Sequence, residues 1–320
     1  MRRLLLAAAL AVLLPCLAFA QGYPSKAITM VVPFAAGGPT DTIARIFAVA
    51  LQQRLGQTVV VENTTGAAGT IGVGRVARAA PDGYTLGIGH WSTHVVNGAI
   101  YPLTYDLLND FEPVSLIASN PQLLVAKKSI PAKDLTELVA WVKANQDKIS
   151  AGTAGAGAAS HVSGVYFQSV TNTRFTFVPY RGTAPALTDI MSGNVQLFID
   201  PAFALLPTAR DGTRARALGI ASKTRSQLAP DLPTIGEQGL PGFEFNSWYG
   251  VWAPKGTPRD ITEKVNALMQ ETLRDPAVVP RLTSQLLEPV TESIAESKKF
   301  IAAEIVRARD LLKLVNFQPE

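Results

Sequence analysis

The stretch ITMVVPFAAGGPTDTIARIF, Ile28–Phe47, carries the transition on which the fold turns. Ile28–Val32 is an unbroken apolar run that stops at Pro33, the pattern of a strand buried on both faces. Apolar residues then recur at Ile43, Ile46, Phe47, Ala50, Leu51 and Leu55, which is helical spacing, and Gly56 closes the helix. Between strand and helix lie Phe34, two alanines and Gly37–Gly38, a loop almost without side chains. Gly38 suits the N-cap and Pro39 the first helical position, where a missing N–H costs nothing. Asp41 then falls at the third helical position, from which a carboxylate can reach back to a loop N–H. On this reading Asp41 holds the shape of the loop, and the N–H groups of Gly37, Gly38 and Thr40 face a ligand. Free N–H groups at the positive end of a helix favour an anion. A phosphate cradle of the form G-x-x-x-x-G-K-[ST] needs a lysine that this loop lacks, which disfavours nucleotide hydrolysis, and a carboxylate suits the same geometry.

The alternation of strand and helix continues. Thr58–Glu62 reads as a strand, Ile71–Ala80 as a helix closed by Pro81, and Tyr84–Ile88 as a strand. A second block repeats the theme with a strand at Leu123–Ala126, a helix at Leu135–Asn145 and a short strand at Ile149–Ala151. The last of these runs into GTAGAGAAS, Gly152–Ser160, and a helix beginning near His161. Further strands are expected at Phe175–Val178, Val195–Ile199, Ala217–Ile220 and Phe245–Ala253, with two or three helices closing the chain. Such alternation implies βαβ units and a largely parallel sheet. Two small-residue loops, in different halves, each leave a strand and open a helix. Ligands of open α/β sheets lie outside the carboxyl ends of strands, so the two loops are placed to face one another across a cleft.

Length and composition bound the rest. The chain has 320 residues, 47% of them hydrophobic and 17% charged, enough for about two domains with a packed core. Arg2 and Arg3, the apolar run Leu4–Leu14 and Ala18-Phe19-Ala20 form the three parts of a secretory signal peptide, residues 1–20. A lipoprotein signal at Cys16 fits less well, because Pro15 precedes the cysteine. Cleavage after Ala20 removes Arg2, Arg3 and Cys16, leaving 27 basic and 25 acidic residues and no cysteine. No later window is long and apolar enough to span a bilayer. No basic run or basic–aromatic interleaving points to nucleic acid. A periplasmic protein without disulfides is therefore expected.

Other chemistries were weighed against the residues. GVGRVA, Gly72–Ala77, and GAGAAS, Gly155–Ser160, nearly match a dinucleotide fingerprint. The first lies inside a helix, and the second lacks an acid about 20 residues on. His90 and His94 are four apart on what reads as a strand end and loop without a third ligand, so no metal is expected. No G-x-S-x-G elbow is present, so no catalytic residue is assigned. His161 is either a capping residue or a pocket residue, and Asp200, at a strand tip, either lines the cleft or buttresses the hinge. Phe34 and Trp91 are the aromatics that strand-end loops place on the cleft side. Gly69, Thr70 and Ser92, at neighbouring strand ends, complete the candidate ligand set with Gly155, Gly157, Ala158, Ala159 and Ser160.

Six segments then carry a resemblance: YPSKAITMVVPFAAGGPTDTIAR, VVVENTTGAAGTIG, APDGYTLGIG, FEPVSLIAS, VPYRGTAPALTDIMSGNVQLFID and LPTIGEQGLPGFE. In order and spacing the chain resembles the Bug family, the extracytoplasmic solute receptors of tripartite tricarboxylate transporters. The resemblance implies an α/β protein of the type II periplasmic-binding-protein fold, with two lobes and two crossings. Lobe 1 is expected over 21–121 and 247–320 and lobe 2 over 122–246, with crossings near Asn120–Leu123 and Asn246–Ser247. It implies a monomeric receptor, not an enzyme, without cofactor. Its expected partners are a small organic carboxylate, held between Pro33–Asp41 and Gly155–His161, and the membrane subunits of such a transporter. A receptor passing ligand status to a membrane sensor kinase shares the fold, and an exported hydrolase using His161 with Asp41 or Asp200 is the rival from another class. One departure stands out: a family pattern like G-N-G-S-T-G-H is here Gly155-Ala156-Gly157-Ala158-Ala159-Ser160-His161. Loss of two hydroxyls, with Phe34 and Trp91 nearby, points to an acid with an apolar or aromatic body, with Ser160 as the remaining hydroxyl.

Overall fold

The computed structural model describes residues 22–226, 229–284 and 286–314. The expected leader, residues 1–20, and its cleavage site lie outside them. In chain order the first block is β1 (Ile28–Val32), α1 (Pro39–Leu55), β2 (Val59–Asn63), α2 (Thr70–Ala77) and β3 (Thr85–His90). A helical segment follows, a π-type turn at Ser92–Val96 and α3 (Asn97–Ile100). β4 (Phe111–Lys127) leads into the second block, which is α4 (Leu135–Ala144), β5 (Ser150–Thr153), α5 (Ala159–Thr171), β6 (Thr176–Pro179), α6 (Thr183–Ser192), β7 (Leu197–Pro201), α7 (Ala202–Asp211) and β8 (Ala215–Ile220). β9 (Asn246–Pro254) returns to the first block. The chain then forms α8 (Arg259–Thr272), α9 (Val279–Thr283), β10 (Glu288–Pro289) and α10 (Ile294–Leu314).

Each block folds around a parallel trio. β1 pairs in parallel with β2 and β3, and β5 with β6 and β7. The long strands depart from the expected largely parallel sheet. β9 runs antiparallel to β3 and to β4, and β4 runs antiparallel to β7 and β8. The order is therefore β2-β1-β3-β9-β4 in one lobe and β6-β5-β7-β4-β8 in the other, with β4 common to both. β4 changes partners at one point: Pro121 is opposite Asn246 of β9, and Gln122 is opposite Pro201 of β7. Proline has no N–H to give a ladder, which suits it to the place where one ladder ends.

Local chemistry accounts for most elements. α1 starts on extended Gly38 with Pro39 at its first position and ends on left-handed Gly56, the expected caps. Its inner face buries Ile43, Phe47 and Leu51 completely, against Ile28, Met30 and Val251. Burial of one such side chain is worth roughly 1.5–3 kcal/mol. Leu123, Phe198 and Leu205 centre the second lobe's core, and a third cluster joins residues of both lobes, from Val73 and Trp91 through Phe245 to Leu312. Two helices escape a reading by pattern. α6 buries only Thr183, Ala186 and Ile190, and α7 carries Pro207 inside it and follows β7 without a loop. The segment after β3, expected to be loop, is helical from Ser92 to Ile100.

Candidate ligand site

The two glycine loops are built to one plan. Gly37 (φ +79°) and Gly157 (φ +73°) are both left-handed, a conformation that favours glycine. The next residues, Gly38 and Ala158, are extended N-caps. Gly38 N–H donates to Ala35 C=O at 3.3 Å, and Ala158 N–H to Gly155 C=O at 3.1 Å. The first helical bonds run from Thr42 to Gly38 and from Val162 to Ala158, both at 3.0 Å. Four residues after each left-handed glycine stands the group that accepts its N–H: Asp41 Oδ2 for Gly37 and His161 Nδ1 for Gly157, each at 2.9 Å.

Asp41 performs the bracing read from its position. Its carboxylate also accepts from Arg45 Nε at 2.9 Å and Asn63 Nδ2 at 3.0 Å, and Asn63 donates in turn to Phe34 C=O at 2.9 Å. Burial would raise its pKa, but the bonds from Arg45, Gly37 and Asn63 outweigh that and hold the carboxyl below its usual range. The same bracing corrects two expectations. The N–H groups of Gly37 and Gly38 are used inside the loop and are not offered to a ligand. Those of Thr40 and Asp41 in the first loop, and of Ala159 and Ser160 in the second, have no protein acceptor among the described residues. Ser160 Oγ accepts Ala154 N–H at 2.8 Å and is not among the residues lining the cavity between the loops.

Both loops meet at one enclosed cavity of about 20 Å³. Phe34, Gly38, Pro39 and Thr40 line it from one lobe, and Ala154, Ala158 and Ala159 from the other. Thr183, Asp200, Pro201, His90, Ser247 and Tyr249 complete the wall. Phe34 stacks on His90, with centroids 4.9 Å apart and planes at 14°. It also lines a second, outer compartment of about 200 Å³, shared with Gly69, Tyr101, Gly155, Ala156 and Arg181. Exposed Arg181 is the one lysine or arginine lining either compartment among the described residues. The lobes meet beside this space: Tyr101 Oη donates to Ala156 C=O, and a Cβ placed on Gly182 would stand 3.5–3.8 Å from Ala35 and Phe34.

Other candidates fall elsewhere. Trp91 is buried edge-on to Phe245, at 5.1 Å and 83°, and does not line the cavity. Ser92 is buried with its hydroxyl 2.9 Å from His90 Nδ1, and Thr70 opens α2 and accepts from Tyr105. His161 braces its loop and stands edge-on to Phe177. His161 Nδ1 is taken up by Gly157 N–H, and Asp41 by Gly37, Arg45 and Asn63, so both groups serve loop geometry. His94 stacks on Trp252 at 3.6 Å, and no group of three or more potential metal ligands exists among the described residues.

Four polar or aromatic wall residues, His90, Thr183, Ser247 and Tyr249, were missed by pattern. His90 ends β3, buried. Its Nδ1 accepts Ser92 N–H at 3.2 Å, so the proton sits on Nε2, and burial pushes its pKa down to about 3. Ser247 and Tyr249 alternate with Trp248 along β9, so their side chains face the cavity while Trp248 bonds Glu304 on the other side. That period of two was the available signal. Thr183 had none, since α6 was unread. Asp200 does line the cavity. It is 3% exposed, accepts from the Thr183 hydroxyl, and burial pushes its pKa up to about 7.

Two α/β lobes closing on an enclosed cavity, with paired helix N-termini as its walls, define the class of bilobal solute-binding receptors. Residues 43–317 match the model of the tripartite tricarboxylate transporter family receptors, and the chain belongs to that family. It is 37% identical to Protein BugT of Bordetella pertussis over 90% of this chain and 89% of that one. Among solved structures it is similar to MatC from Rhodopseudomonas palustris with bound malate (TM-score 0.86, 38% identity, 91% of this chain and 100% of that one). It is likewise similar to R. palustris Rpa4515 with adipate (TM-score 0.90, 34% identity, 93% and 100%). The fold is the two-lobed type II periplasmic-binding-protein fold, and the family is one of periplasmic substrate-binding receptors, not enzymes.

Proposed function

We propose that this protein captures a small organic carboxylate between the loops Pro33–Asp41 and Gly155–His161 and delivers it, as a monomer, to the membrane subunits of a tripartite tricarboxylate transporter. One observation carries the reading. Two loops of one plan, from two lobes, line one space, and both helix starts there leave N–H groups without a protein acceptor among the described residues. Each helix start is worth roughly 0.3–1 kcal/mol toward an anion, so two together discriminate where one does not. The lobes are taken to divide at the partner switch of β4, giving 21–121 with 247–320 and 122–246. Capture needs them to open, since about 20 Å³ admits little more than one water. The relatives with malate and with adipate support a dicarboxylate. Its first carboxylate occupies the inner cavity, and its chain passes Phe34 so that the second group reaches Arg181 in the outer compartment.

A thermal-shift screen of malate, adipate, citrate and benzoate tests this. The dicarboxylates are expected to raise the melting temperature and to be recovered unchanged. Arg181→Gln is expected to weaken dicarboxylates several-fold and benzoate little. A screen in which only uncharged solutes stabilise the protein refutes the reading.

A further inference from the structure

Asp200 is a carboxyl group in the wall of a cavity built for a carboxylate. It lies in β7 opposite Leu123 of β4, is 3% exposed, and shares a space of about 20 Å³ with Thr40, Ala158 and Ala159. No lysine or arginine pairs with it or lines its cavity among the described residues. The Thr183 hydroxyl at the start of α6 donates to it. From β3 it faces His90, which burial keeps neutral at ordinary pH. From β9 it faces Tyr249, whose phenol burial and Asp200 itself keep protonated, and the Ser247 hydroxyl, which is 2% exposed and has no partner among the described residues. β4 presents Leu123, and the residue after β5 that shares the wall is Ala154, neither of them charged. An ionised Asp200 beside an ionised guest would enclose two like charges in a medium of low effective dielectric. Two carboxyl groups at such range ionise as a pair, with one proton between them.

We propose that Asp200 makes the receptor bind its solute together with one proton, held between the Asp200 carboxyl and the guest's carboxylate. The proton comes from solvent, no covalent bond to carbon changes, and on the alkaline side it returns to solvent when the guest departs. This rests on the carboxylate reading of the cavity. Burial already pushes ligand-free Asp200 to about 7. At acid pH the proton is therefore in place beforehand, and at alkaline pH it is taken up on binding. Affinity then falls about tenfold per pH unit on the alkaline side.

Calorimetric titration of the mature protein with malate, adipate and benzoate, in buffers of differing ionisation enthalpy, counts the protons. For whichever binds, uptake near one is expected at about pH 8.5 and near zero at about pH 5.5. Asp200→Asn, whose amide donates where the shared proton stood, is expected to bring uptake to zero, flatten the pH dependence and bind more tightly than wild type at about pH 8.5. Binding to wild type without proton uptake at the higher pH overturns the proposal while leaving the carboxylate reading intact. Undiminished uptake by Asp200→Asn also overturns it, by moving the proton to another group. Absence of binding by all three acids removes both readings.

Discussion

Asp41 and Asp200 are both buried acids beside the same cavity, and their surroundings drive them in opposite directions. Asp41 accepts three hydrogen bonds, one from an arginine that is itself half exposed. The screened ion pair adds little, so the Gly37 and Asn63 bonds carry most of its worth. Asp41→Ala is expected to cost about 1–3 kcal/mol in urea unfolding and to weaken carboxylate binding at least tenfold, because the loop loses its brace. Its lowered pKa means that this stability is present above about pH 4 and is lost as pH falls through the folded value. Asp200 behaves oppositely. Between about pH 4 and pH 7 the folded protein keeps a proton that the unfolded chain has released, so stability falls as pH rises through that window. His90 resists protonation until about pH 3, whereas an unfolded imidazole protonates near 6.5, so its contribution is lost as pH falls through that interval. The two trends partly cancel in the wild type and separate in variants. Relative to wild type, Asp200→Asn without ligand should gain up to about 4 kcal/mol between pH 4 and pH 7.5, measured by denaturant unfolding across pH. A constant difference would show that Asp200 is ionised throughout.

Elements set how much each loop tolerates. A Cβ on Gly37 meets nothing within 4 Å, so Gly37→Ala is limited to the strain of a left-handed alanine, about 1–2 kcal/mol. A Cβ on Gly157 has the same strain and also meets Ile100 and Tyr101 of the other lobe at 3.1–3.3 Å. The two substitutions should lower thermal stability comparably, with Gly157→Ala weakening solute binding by the larger factor. Equal binding losses would mean that closure does not bring these surfaces together. The loop plan was half legible. The strand, Gly-Gly, Pro and acid at 28–41 announce their structure, because each acts on its own backbone neighbours. That Gly157-Ala158-Ala159-Ser160-His161 repeats this plan with a histidine for the aspartate was not, since acceptor geometry, not residue type, is shared. α6 and α7 were illegible for a related reason: their helical state depends on packing against β5, β7 and β4 more than on any pattern of their own.

At the scale of the molecule, two lobes share β4, so opening is expected as a change of angle about Pro121–Gln122, where β4 changes partners. Closure is held by small contacts, of which the Tyr101 hydroxyl on Ala156 C=O is one. Tyr101→Phe should lower solute affinity about 2–10-fold, chiefly through faster release, with little change in ligand-free stability. X-ray scattering should show the ligand-free variant more extended than wild type. An unaltered release rate would assign closure to the other interlobe contacts.

What the residues determined by themselves were features acting over short range along the chain. Alternating strand and helix, the capped start of α1, the bracing role of Asp41 and the small-residue character of both loops follow from periodicity and backbone preference. The tertiary structure decided everything that depends on distant segments meeting. It ran β4 and β9 antiparallel to the parallel trios, took Trp91 from the cleft into the core, and consumed the N–H groups of Gly37 and Gly38. It also brought His90, Thr183, Asp200, Ser247 and Tyr249, from three strands and a helix start, around one cavity. A side chain's neighbours along the chain select its backbone, but burial and enclosed charge are properties of the assembled wall.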